Sequence, residues 1–61
     1  MNGKKVRERR EAIGMTQEEF AEKAGISQSM VSLIETGRRD VLSATLFCIA
    51  NALGVKADDL Q

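Results

Sequence analysis

The sequence predicts an all-α fold built from a few short helices. Three observations carry that expectation. The 61 residues include five glycines and no proline; apolar residues recur at helical spacing, with no strand-like segment; and Gly14, Gly25, Gly37 and Gly54 each close such a periodic stretch, where the chain often enters the left-handed region. A chain this short buries only about 60% of the surface its unfolded form exposes, so one domain over residues 1–61 with one small core is expected.

From Lys4 to Ile13 good helix formers carry Val6 and Ile13 at i and i+7, and Gly14 supplies the stop. Thr16-Gln17-Glu18-Glu19 fits a capping box, in which the threonine hydroxyl accepts from the amide three residues on and the glutamate reaches back to the threonine amide. A second helix therefore starts at Gln17, lays Phe20, Ala21 and Ala24 on one face and closes at Gly25. Ser27 is the N-cap of a third helix, with Val31 and Ile34 as its inward stripe and its end at Gly37. After the polar stretch from Gly37 to Asp40, Leu46, Ile49, Ala50 and Leu53 recur at i, i+3, i+4 and i+7, the pattern of an amphipathic helix that ends at Gly54. Val55 and Leu60 then pin a last short turn, with Asp58 and Asp59 solvated near its start. Phe47 flanks the stripe of the fourth helix and is expected to extend the core, the alternative being a dimer contact made with Val55 and Leu60. Cys48 projects away from that stripe and is expected to be an exposed, passive thiol. Gly3 is read, like the other glycines, as a helix-boundary residue.

Nine basic and nine acidic residues cancel, which by itself counts against a nucleic-acid partner. The distribution is uneven, however. Lys4, Lys5, Arg7, Arg9 and Arg10 crowd the N-terminal segment and Arg38-Arg39 form a second cluster, while Glu18, Glu19, Glu22, Asp58 and Asp59 lie elsewhere. The paired acids fall in first helical turns, where they complement the helix dipole. With no histidine and one cysteine, the chain offers neither an internal disulfide nor a zinc constellation. Ser27, Ser29, Ser32 and Ser43 lack a base that would make any of them a nucleophile. No catalysis, metal or cofactor is expected. No apolar stretch approaches the roughly 18 residues of a membrane span, and Met1-Asn2-Gly3-Lys4-Lys5 is not followed by an apolar signal region. A cytoplasmic location without membrane contact is expected.

The second and third helices, joined through Gly25 by about three residues, meet the physical requirements of a helix-turn-helix. Ala21 and Ala24 let the helices approach, Gly25 permits the turn, and Ile26 plugs the corner. Projected as a helix, residues 27–36 point Val31 and Ile34 inward and Ser29, Ser32, Leu33 and Thr36 outward, with Gln28 at the edge. That outer face carries no charge. A merely solvated helix usually shows lysine and glutamate there, whereas short hydroxyl and amide groups approach base edges in the major groove; the plain alternative is a surface of low charge.

The stretches Thr16-Gln17-Glu18-Glu19-Phe20-Ala21-Glu22-Lys23-Ala24-Gly25-Ile26-Ser27-Gln28-Ser29 through Val31-Ser32-Leu33-Ile34-Glu35-Thr36-Gly37, then Thr45-Leu46 and Ile49-Ala50-Asn51-Ala52-Leu53-Gly54-Val55, carry a further reading. With them the chain resembles, from Val6 to Leu60, the Cro/cI-type (XRE-like) helix-turn-helix family of transcriptional regulators. The resemblance implies a five-helix lambda-repressor-like fold and binding to double-stranded operator DNA as a homodimer, in the role of a repressor or other regulator. Position by position it implies that Gln17 contacts phosphate and orients Gln28, and that Gln28, Ser29, Ser32 and Leu33 face the bases. It also implies that Arg38 and Arg39 meet phosphate, and that Arg10 and Glu35 form a structural ion pair between the first helix and the end of the third. Two departures stand out. Leu33 falls where the family often has a polar or basic reader, so it either touches a thymine methyl or is an exposed apolar residue of no consequence. Leu42-Ser43 reverses the usual polar-then-apolar order, which blurs the start of the fourth helix. Zero net charge favours the alternative class, an antitoxin-like or other protein-interaction module with the same helical fold.

Overall fold

The amides that open a helix have no partner inside it, and the computed structural model, which describes residues 1–61, shows how the chain supplies partners. Helix α1 (Gly3–Ala12) begins at Asn2, whose Oδ1 accepts from the Lys4 and Lys5 amides. Helix α2 (Gln17–Ala24) begins with both arms of the Thr16–Glu19 capping box. Helix α3 (Gln28–Glu35) begins at Ser27, whose Oγ accepts from the Met30 amide. Helix α4 (Ser43–Leu53) differs, because its N-cap residue is Leu42 and no side chain bonds its first amides. A 3-10 turn, Ala57–Leu60, follows and stands in place of a fifth helix. Between α2 and α3 the chain turns at Gly25, at φ 75, a left-handed conformation that glycine adopts without steric cost.

Helix α2 packs on α3 and α4, and α1 closes the assembly against α3, α4 and the 3-10 turn. The core consists of Val6, Phe20, Ala21, Ala24, Val31, Ile34, Ile49, Ala50, Ala52, Leu53 and Leu60. Small residues let α2 approach its neighbours, while Phe20, Ile34, Ile49 and Leu53 fill the space between helices. Burying each of these large side chains contributes about 1.5–3 kcal/mol. Ile26 packs against this core at the corner between α2 and α3. Arg9 Nε donates to the Leu53 carbonyl at 3.1 Å, which satisfies one of the free carbonyls ending α4 and sets a cation at the negative end of its dipole. No helix is long and apolar enough to cross a membrane.

Two sequence expectations are corrected. Ile13 does not join Val6 in the core: α1 stops at Ala12, Ile13 becomes its C-cap at 40% exposure, and Met15 packs against the core instead. Phe47 does not extend the core either, being 65% exposed. The buried side of α4 runs through Ile49, Ala50, Ala52 and Leu53, and Phe47 with the exposed Cys48 borders a shallow groove also lined by Val55 and Ala57. Leu60 is buried, so it belongs to the core and not to that groove. Gly3 does stand at a helix boundary, as the first residue of α1, and it has a second role there. It sits in the first turn of α1 with its backbone against the Ile34 carbonyl, where a Cβ would overlap the oxygen.

Candidate nucleic-acid interface

A guanidinium withdrawn from water needs an acceptor for its protons as well as a counter-charge. Arg10 has both. Its Nε donates to Glu35 Oε2 at 2.6 Å and its second terminal nitrogen to Oε1 at 3.1 Å, while the first terminal nitrogen donates to the Met15 carbonyl at 2.7 Å. The side chains of Arg10 and Glu35 are only 11% and 2% exposed. The hydrogen bond to Glu35, and then its charge, hold the Arg10 pKa above the usual value, against desolvation, which lowers it. Glu35 Oε1 accepts a further bond from Gln17 Nε2 at 3.1 Å. No buried side-chain nitrogen or oxygen lacks a partner. This bidentate contact therefore joins α1, the segment after it, the first residue of α2 and the last residue of α3.

The residues singled out by sequence fall into two groups around that brace. Gln28, Ser29 and Ser32 are exposed on α3 and Leu33 is half-buried. The Gln28 amide and the Ser29 and Ser32 hydroxyls form no hydrogen bond with the rest of the chain, in contrast to Ser27 and Thr36 beside them. Arg38 and Arg39 follow Gly37, which turns the chain at φ 75; both are exposed and neither takes part in an ion pair. Gln17 is half-buried, and its amide nitrogen is directed to Glu35 at the end of α3 instead of to Gln28 at its beginning. Elsewhere on the basic segment Arg7 makes an exposed pair with Glu11 at 3.6 Å, and Lys5 Nζ donates to the Gln61 carbonyl at 2.8 Å.

Sequence reasoning missed three features of the site. The Gln17–Glu35 bond joins residues 18 positions apart, and no spacing rule announces it. Thr36 turns its hydroxyl back onto the Ser32 and Leu33 carbonyls at 2.9 and 3.2 Å, a habit of threonine in helices that its place at the end of α3 suggests. Asn2 as the cap of α1 is signalled by the asparagine ahead of Gly3-Lys4-Lys5. No group of histidine, cysteine or carboxylate side chains gathers as a metal site.

This arrangement presents a short helix, held rigidly at its C-terminal end, with an uncharged polar side facing solvent and two free guanidiniums just beyond. The fold that carries it recurs in known proteins. One solved structure, the restriction-modification controller protein C.AhdI from Aeromonas hydrophila, superposes with a TM-score of 0.93 at 34% identity over 97% of this chain and 89% of that one. Another, the biofilm master regulator SinR in complex with DNA, superposes with a TM-score of 0.90 at 28% identity, covering 97% of this chain and 98% of that one. Among sequences, the HTH-type transcriptional regulator y4dJ of Sinorhizobium fredii is 46% identical over 47 residues, 77% of this chain, which spans 61% of that relative's length. The family model described as helix-turn-helix matches residues 6–60, and with that match across nearly its whole length the chain belongs to the helix-turn-helix family.

Proposed function

We propose that this chain is a sequence-specific double-stranded DNA-binding domain of a transcriptional regulator, acting in the cytoplasm as a homodimer and without catalytic activity. The observation that carries the reading is the solvent side of α3, where Gln28, Ser29 and Ser32 keep their polar groups free and no charged residue intervenes. Such short groups reach base edges in the major groove: the Gln28 amide suits adenine, and the serines suit either partner of a pair. Arg38 and Arg39, with Gln17 at the start of α2, take the phosphate contacts that set register without reading sequence. SinR, solved in complex with DNA, and the regulators among the relatives support the DNA-binding reading.

The test is binding of mixed and selected duplexes over a range of salt. Arg38→Ala or Arg39→Ala is expected to weaken binding about equally on all sequences, with a salt slope shallower by about one unit for each phosphate no longer neutralised. Gln28→Ala is expected to relax preference at one base position, at a cost of roughly 1–3 kcal/mol on the preferred site. The reverse pattern would remove α3 from its place as the reading helix. For the homodimer, the exposed Phe47 and the adjoining groove provide apolar surface, and two half-sites are expected about one helical turn, roughly 34 Å, apart. Sedimentation showing monomer alone at high concentration, free and on DNA, would count against it. The zero net charge favours a second reading, a module that holds another protein, and binding to no duplex at low salt would select it.

A further inference from the structure

We propose that Leu33 and Thr36 form an apolar subsite on α3 that reads the 5-methyl group of a pyrimidine. This rests on α3 being the helix that faces the bases. Residues 29, 32, 33 and 36 recur at i, i+3, i+4 and i+7 and so lie along one side of the helix, with Leu33 and Thr36 as neighbours three positions apart. Leu33 is half-buried, yet it is absent from the apolar side chains packed on the core. The fold therefore does not use it as Val31 and Ile34 are used. Thr36 is exposed, and its one hydroxyl proton is shared between the Ser32 and Leu33 carbonyls. With the oxygen turned onto the helix, the methyl group is what Thr36 offers outward, and its hydroxyl has no proton left for a base.

The outer side of α3 is thus divided. Gln28, Ser29 and Ser32 supply free polar groups in its first part, and Leu33 and Thr36 supply carbon in its second. In the major groove the matching apolar feature is the C5-methyl of thymine. A 5-methylcytosine presents the same group at the same ring position, so the shared chemistry is a pyrimidine 5-methyl.

The experiment starts from the preferred duplex selected from random DNA and uses the full chain. Each thymine is replaced in turn by deoxyuridine, which deletes only the methyl group, and each cytosine in turn by 5-methylcytosine. One position per half-site is expected to respond by about fourfold, the equilibrium equivalent of about 0.8 kcal/mol for one buried carbon group. A loss in the uridine series assigns the source to thymine, and a gain in the methylcytosine series assigns it to methylated DNA. Leu33→Ala and Thr36→Ser are each expected to abolish the difference at that position, while Thr36→Val keeps it. Thr36→Ser retains the hydroxyl that bonds the helix, and the base-analogue series uses the unaltered protein, so neither depends on a damaged fold. Equal affinity for every analogue, or discrimination that survives in both Leu33→Ala and Thr36→Ser, would overturn the subsite while leaving DNA binding intact. Failure to bind any duplex would overturn the DNA reading and the subsite together.

Discussion

Between Thr16 and Gly37 no large apolar side chain is strongly exposed, whereas the start and outer side of α4 hold Leu42 at 83% and Phe47 at 65%. The same contrast appears at the helix starts. Thr16 and Ser27 cap α2 and α3, and Leu42 leaves the first amides of α4 without a side-chain partner. In the α2–α3 half, apolar groups other than Leu33 go to the core and polar groups to caps and the brace, with Gln28, Ser29 and Ser32 left over on one side. In the α4 half, apolar surface remains that the stability of a single chain does not require. The first region is built to hold a helix still; the second leaves apolar surface uncovered.

The largest expected effect probes the brace. Glu35→Ala strands the Arg10 charge in a buried site and should cost about 3–5 kcal/mol in urea unfolding, while the double change Arg10→Met with Glu35→Leu should restore most of it because neither charge is then left alone. A loss below about 1 kcal/mol in the single variant, the size of an exposed pair, would show that the α2–α3 half is held by apolar packing alone.

Smaller effects sharpen the contrast in caps. Ser27→Ala should lower stability by about 1 kcal/mol, and Leu42→Asp, which supplies the missing cap in a backbone already extended at φ −71 and ψ 160, should raise it by about 0.5 kcal/mol. Thermal melts of the two variants moving in the same direction would erase the distinction drawn between the halves.

The smallest effect is a pH dependence in the capping box. Hydrogen bonds from Thr16, its backbone amide first and its side chain second, hold the exposed Glu19 carboxyl below its usual range. A carboxylate with a depressed folded-state pKa adds stability that is present above its unfolded pKa and lost as pH falls through the folded value. Glu19→Gln keeps a side chain that can close the box at any pH, so its stability should decline less between about pH 5 and 3, near and below the reference carboxylate pKa. Parallel curves for the two proteins would remove this contribution.

What the sequence made legible was mostly local. The Thr16 box, the Ser27 cap and the Gly25 turn depend on residues at most a few positions apart, and the stripe on α4 follows from its own period. Phe47 shows the limit of that reasoning. Periodicity places a side chain around a helix axis, but whether a flanking position is covered depends on the elements packed alongside, and these leave Phe47 open. Ile13 failed because the helix ended one residue before the i+7 position. Gly3 opens α1 as its reading as a boundary residue implied, but the close approach to Ile34, distant in sequence, that its lack of a side chain allows was not visible locally. Arg10 and Glu35, 25 residues apart, came into view through their places beside Ile13 and Ile34 together with the family resemblance, and the bond that draws Gln17 to the same carboxylate followed from no local pattern.

The polar groups of Gln28, Ser29 and Ser32 have one more consequence. Since none of them bonds the rest of the chain, their identity can drift or be redesigned almost independently of the scaffold, each exchange shifting stability by no more than about 0.5 kcal/mol, as for ordinary surface positions. The brace at the opposite end of α3 keeps the helix in place whatever those side chains become. A combinatorial library at positions 28, 29 and 32 is therefore expected to remain largely folded, and under the proposed role of α3 its members would differ in the duplexes they select.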